Sequence, residues 1–136
     1  MMRPLDEKTM AANRQVAPED LPAIAAAGIT LVVNNRPDGE EAGQPLSAEI
    51  EAAARAAGLD YRHIPIAGGF NMDDVLAMAD ALDATEGKVL AFCRTGTRST
   101  FLWALARSER GEAADRIVAA AAAAGYDLAP IRAYLN

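Results

Sequence analysis

Two short stretches, Thr30-Leu31-Val32-Val33-Asn34 and Val89-Leu90-Ala91-Phe92, are apolar at nearly every position and rich in β-branched or aromatic side chains. A strand with one wet face alternates apolar and polar residues, whereas a run apolar throughout must be covered on both faces. Both runs are bounded by turn residues and are too short for helices, so they constrain the chain to a sheet sandwiched between helices. A further strand is expected at Tyr61-Arg62-His63-Ile64-Pro65 and a weaker one between Met10 and Val16.

Helical patterns fill the intervals. Pro18-Glu19-Asp20-Leu21 opens a first helix that ends at Gly28. Ser47 is placed to start a second, running to Ala57 and stopped by Gly58. Asn71 is a good cap for a third over Met72 to Leu82, with Val75, Leu76, Ala79 and Leu82 on one face. After Arg98 the pattern is helical only: Ser99 to Arg107, Glu112 to Ala124 and Leu128 to Leu135, punctuated by Gly111 and Gly125. Strand and helix therefore alternate. The expectation is an α/β fold with a central, mostly parallel sheet of four to five strands flanked by helices, in a single domain over residues 1–136.

Charge narrows the partners. A formal net charge of −6 and a pI near 4.7 argue against a nucleic-acid surface or an anionic membrane patch, so any bound anion must be held by local positive groups. One cysteine forms no internal disulfide, and one cysteine with one histidine is not a metal-ligand set; neither metal nor cofactor is expected. The first residues have no apolar signal-like core, and the longest apolar run, Ile117 to Ala124, is too short to span a bilayer. A cytoplasmic location is the expectation.

The lone cysteine sits where chemistry is expected. Cys93-Arg94-Thr95-Gly96-Thr97-Arg98 joins the end of a buried strand to the start of the apolar helix beginning Ser99-Thr100-Phe101. Ligand sites in parallel sheets lie at the carboxyl ends of strands. A helix N-terminus offers unpaired N–H groups to an anion, and Gly96 lets the loop curl so that these groups point inward. Arg94 and Arg98 add positive charge, and a guanidinium can grip an oxyanion with two parallel hydrogen bonds. The same field lowers the pKa of the thiol. An inert core cysteine would need neither arginine. Cys93 is therefore read as a nucleophile, Arg98 as the stabiliser of its anionic adduct, and Arg94, Thr95, Gly96 and Thr97 as the substrate-binding loop.

Cys93-Arg94-Thr95-Gly96-Thr97-Arg98-Ser99 resembles the active loop of rhodanese-type sulfurtransferases, in which a cysteine carries sulfane sulfur as a persulfide. Val32 to Glu40 and Tyr61 to Ile66 are similar to the segments preceding the catalytic loop in dual-specificity phosphatases. Together these features resemble a bacterial family of phosphatase-like sulfurtransferases whose domain also occurs fused to a β-lactamase-fold hydrolase of the persulfide dioxygenase type. The resemblance covers about Leu5 to Asn136. It implies a cysteine phosphatase-like fold and, as a partner, an enzyme of persulfide metabolism.

Three features separate sulfur from phosphoryl transfer. Cysteine phosphatases place five residues between cysteine and arginine, and here there are four, Arg94 to Thr97. They usually carry histidine before the cysteine, where this chain has Phe92. They also need an acid for the leaving oxygen, but Ala67-Gly68-Gly69-Phe70-Asn71 supplies none. The reading is a sulfurtransferase: Cys93 takes sulfur from a small anionic donor and passes it to an external thiol, with Arg94 orienting the donor. A phosphatase acting through a phosphocysteine is the alternative, and a non-catalytic module that binds an anion or a partner is a third reading. Ser99 either stabilises the sulfur or caps the next helix. Arg36 and the Asp38-Gly39-Glu40 turn either reach the site or form a surface ion pair. Asp73 and Asp74 read as ordinary first-turn acids, His63 as structural, Gly68-Gly69 as a turn and Trp103 as core.

Overall fold

The computed structural model describes residues Met1–Asn136. Five strands form one sheet: β1 (Met2–Pro4), β2 (Thr9–Ala12), β3 (Ile29–Asn34), β4 (Asp60–His63) and β5 (Lys88–Phe92). Their spatial order is β1-β2-β5-β3-β4, with β1 antiparallel to β2 and every other pair parallel. The helices are α1 (Leu21–Ala26, preceded by a 3-10 turn at Pro18–Asp20), α2 (Ser47–Ala56), α3 (Met72–Ala84), α4 (Thr97–Glu109) and α5 (Ala114–Ala123). A 3-10 turn, Ala129–Tyr134, closes the chain.

The apolar runs behave as their patterning requires. Leu31, Val33, Val89 and Ala91 face a core completed by α3, α4 and α5, while Val32, Leu90 and Phe92 face a second core with Leu21, Ile24 and Ile50 from α1 and α2. The period of two sends alternate residues of each central strand to opposite layers, and both layers are dry. Trp103 is wholly buried in the first layer, and its indole N–H donates to Asp6 Oδ2 at 3.0 Å. No helix is long and apolar enough to cross a membrane.

Several boundaries move. The weak strand expected between Met10 and Val16 is β2, which starts at Thr9 and leaves the sheet after Ala12; β1 pairs with it at the edge, Met2 opposite Ala12. The helix expected from Ser99 begins at Thr97, the one from Glu112 begins at Ala114, and the last piece is a 3-10 turn rather than an α-helix. Ser47 is not a cap. It lies inside the first turn of α2 with Leu46 at the cap position, and its N–H is accepted by Asp38 Oδ1 at 2.8 Å. Its hydroxyl is instead 2.6 Å from Tyr61 Oη, so a residue across the turn does the capping and frees Ser47 for the core network. Asn71 does cap α3, accepting from the Asp74 N–H at 2.9 Å.

Candidate active site

The loop after β5 wraps the sulfur. Cys93 is buried, 1% exposed, and the Gly96 N–H donates to its Sγ at 3.2 Å. Burial alone pushes the thiol up. The backbone N–H groups of Ser99, Thr95 and Gly96, joined by the Ser99 hydroxyl, outweigh it, so Cys93 titrates below an ordinary thiol. Ser99 is itself fully buried, and its Oγ has no other partner to draw it away from the sulfur. It lies in the first turn of α4 but caps nothing; the cap position is Gly96, whose φ is +94°.

Gly96 is required here for two reasons. Its positive φ is strained for any other residue, and a Cβ would collide with the Tyr126 hydroxyl and lie 2.7 Å from the Ala12 carbonyl oxygen. Tyr126 donates in turn to the Thr95 carbonyl at 3.0 Å, fastening the loop from behind. Gly96→Ala is therefore expected to cost about 3 kcal/mol or more in urea unfolding, combining left-handed strain with overpacking, and to slow alkylation of Cys93.

A second loop, following β3, meets the first. The Asn35 N–H donates to the Phe92 carbonyl at 2.8 Å, which docks the end of β3 beside the end of β5. Asn34 Oδ1 accepts the Arg36 N–H at 2.9 Å and its Nδ2 donates to Tyr61 Oη at 2.9 Å, so the turn beginning at Arg36 is anchored in the core. The turn reaches the site. Arg36 is 2% exposed and all three guanidinium nitrogens are taken: Nε by Glu40 Oε1 at 2.8 Å, Nη1 by Gln15 Oε1 at 2.7 Å and Nη2 by Glu41 Oε1 at 3.1 Å. Arg36 lines the cavity above the loop, with each of its three nitrogens already given to a protein acceptor.

Arg98 is held as firmly. Nη1 and Nη2 donate to the two oxygens of Glu40 at 2.8 and 2.9 Å, and Nη1 also donates to the Ile66 carbonyl at 2.9 Å. The Arg98 hydrogen bonds, reinforced by Arg36 against a partly opposing burial effect, lower the Glu40 carboxyl from 4.5 to about 2. Because folding depresses this pKa, the stabilisation is complete above 4.5 and is lost as pH falls through about 2. The stability advantage of the wild type over Glu40→Gln should accordingly shrink on acidification through that window, read by chemical denaturation at a series of pH values.

Arg36, Glu40, Glu41, Arg94 and Arg98 line a polar cavity of about 380 Å³ over the loop. Arg94 is exposed at its mouth, and Thr95 and Thr97 are exposed on the same loop with their hydroxyls 3.3 Å apart. Other residues weighed from the sequence stay outside. The His63 ring contacts the Arg36 carbonyl at 2.9 Å, a structural bond. Asp73 and Asp74 sit in the first turn of α3 and do not line the cavity. Gly69 and Phe70 belong to a separate apolar groove of about 560 Å³ with Met72, Leu105 and Tyr134. Sequence reasoning missed Gln15 and Glu41, which fix Arg36, and Tyr126, which braces the loop.

Comparison with known proteins agrees with this geometry. The profile of the family described as "Beta-lactamase hydrolase-like protein, phosphatase-like domain" matches residues 2–110. A beta-lactamase hydrolase-like protein of Agrobacterium fabrum is 40% identical over 108 residues, 79% of this chain and 23% of that protein. The chain spans between about a quarter and a third of the length of the curated relatives it matches. A solved structure from Neisseria meningitidis, described as a candidate phosphatase, is 35% identical with a TM-score of 0.84, covering 98% of this chain and 95% of that one. Kinase associated phosphatase shares the fold at 13% identity and a TM-score of 0.69, covering 88% and 79%. The fold is that of the cysteine phosphatases.

Proposed function

Because the chain belongs to the family of phosphatase-like domains of beta-lactamase hydrolase-like proteins, we propose that its cysteine nucleophile is used for sulfur transfer: Cys93 accepts a sulfane sulfur and hands it to an external thiol. In the first step the Cys93 thiolate attacks the terminal sulfur of a thiosulfonate or persulfide donor. The donor S–S bond breaks, and its electron pair leaves with a sulfinate from a thiosulfonate or a thiolate from a persulfide. Cys93 is left as a persulfide anion, stabilised by the N–H groups of Thr95, Gly96 and Ser99 and by the Arg98 charge. An external thiolate then attacks the outer sulfur, and Cys93 departs as the thiolate that began the cycle.

One observation carries this reading over phosphoryl transfer. The carboxylate nearest the reactive loop is Glu40, and its two oxygens are locked by Arg98 and Arg36 at a pKa of about 2. A carboxylate held ionised by two guanidinium groups is a poor acid for a departing alkoxide near neutral pH. Sulfinate and thiolate leave without a proton. The four-residue interval from Cys93 to Arg98 also supports a smaller adduct than a phosphoryl group.

The likeness to the Neisseria meningitidis structure favours a second reading, hydrolysis of a phosphoester through a phosphocysteine. Steady-state assays separate the two. Sulfinate release from benzenethiosulfonate with a thiol acceptor should exceed phosphate release from p-nitrophenyl phosphate in kcat/KM. Phosphate release without sulfur transfer would establish the second reading, and neither activity would leave a binding module. The longer relatives are named for a beta-lactamase hydrolase-like protein, and a persulfide-consuming hydrolase of that kind is the proposed downstream partner.

A further inference from the structure

The cavity over the catalytic loop is strongly charged but nearly balanced. Three guanidinium groups, from Arg36, Arg94 and Arg98, face two carboxylates, from Glu40 and Glu41. Add the Cys93 thiolate and the side chains carry no net charge when the nucleophile is ready. The attraction left for an incoming anion comes from the partial positive charge of the loop N–H groups and the start of α4. Arg3 does not alter this balance: it lies behind the loop, over the Tyr126 ring at 6.0 Å, with a guanidinium N–H given to the Ala124 carbonyl.

The distribution of donors points the same way. Arg36 has no nitrogen free, and the terminal nitrogens of Arg98 already serve Glu40 and Ile66. Arg94 alone is exposed at the mouth with a guanidinium not engaged by the protein. A phosphomonoester dianion or its phosphocysteine would bring two charges to a site where only Arg94 is without a protein acceptor and Arg98 keeps only its Nε unengaged. A persulfide brings one, and the adduct on Cys93 carries the same single charge as the thiolate it replaces.

We propose that Glu40 and Glu41 set the charge specificity of the site, so that the cavity selects singly charged sulfane donors, such as alkyl persulfides and thiosulfonates, over doubly charged anions. The proposal rests on the sulfur-transfer reading for the identity of the donor, whereas the charge selection itself concerns only the anion admitted to the cavity beside the Cys93 loop. Glu41 is the residue to test. Its side chain is 54% exposed, it touches Arg36 alone, and glutamine keeps an oxygen for that contact.

The experiment measures protection of Cys93 from iodoacetamide in the full chain, at constant ionic strength, by two tetrahedral oxyanions of one and two charges. Methanesulfonate should protect wild type at a lower concentration than sulfate. In Glu41→Gln the half-protecting sulfate concentration should fall roughly threefold to tenfold, with a markedly smaller change for methanesulfonate, as expected for removing one charge a few ångströms from the bound anion at moderate screening. A simple loss of packing would weaken both anions together. Preference of the wild type for sulfate, or an equal shift for both anions, overturns the proposal. Intact mass after benzenethiosulfonate is read on the same samples: absence of an added sulfur would fell the sulfur-transfer reading and the donor assignment with it, while the protection ratios judge the charge selection separately.

Discussion

Cys93→Ser is expected to lose covalent loading completely and to lower turnover by roughly 10⁴-fold or more, the usual scale for removing a covalent nucleophile. The serine hydroxyl stays protonated near neutral pH, and no base stands beside it: His63 is engaged with the Arg36 carbonyl at 2.9 Å. The fold should tolerate the change. Serine keeps nearly the same shape and can still accept the Gly96 N–H that now meets the sulfur at 3.2 Å, so the unfolding free energy should stay within about 1 kcal/mol of wild type. Full turnover by the serine variant would show that the chemistry lies elsewhere.

Arg98→Ala is expected to lower kcat/KM by about 10²- to 10³-fold, the loss typical of a donor aimed at developing charge in a water-poor site. It should act on the nucleophile as well as on the adduct, because Arg98 and the Cys93 thiolate attract each other. The midpoint of Cys93 alkylation against pH should therefore move up toward that of a free thiol. Arg98→Lys is the informative companion. It restores a positive charge but not the fork that grips both Glu40 oxygens at 2.8 and 2.9 Å, so the alkylation midpoint should recover more than the rate does. An unchanged midpoint in Arg98→Ala would mean that the loop N–H groups alone hold the thiolate.

What the sequence made legible was whatever is local. The apolar runs at Thr30–Asn34 and Val89–Phe92 declared buried parallel strands because covering both faces leaves no room for alternation. The loop from Cys93 to Arg98 stood out as a candidate site because glycine, two arginines and a cysteine need only each other and the following helix. The turn carrying Glu40 was marked as able to reach the site, but its grip on Arg98 was not legible: the two are 58 residues apart, and only the parallel pairing of β3 with β5 brings their loops together. The same holds for Gln15, whose bond to Arg36 spans 21 residues, and for Tyr126, which reaches Thr95 from beyond α5. α2 does begin at Ser47, but the acceptor at its start comes from Asp38 across the turn, which local sequence could not show. The edge strand β1 escaped notice because three residues that end in proline carry no strand periodicity; an edge position tolerates such a residue, and pairing with β2 makes it a strand.

The covalent state of Cys93 tests the central claim most directly. Reduced full-length chain treated briefly with benzenethiosulfonate, separated from donor and analysed by intact mass, should gain one sulfur atom, localised by peptide mapping to Cys93 and removed by an added thiol. The parallel sample, acid-quenched after an aryl phosphate, should carry no phosphoryl group. Phosphate on Cys93 with no uptake of sulfur would contradict the account.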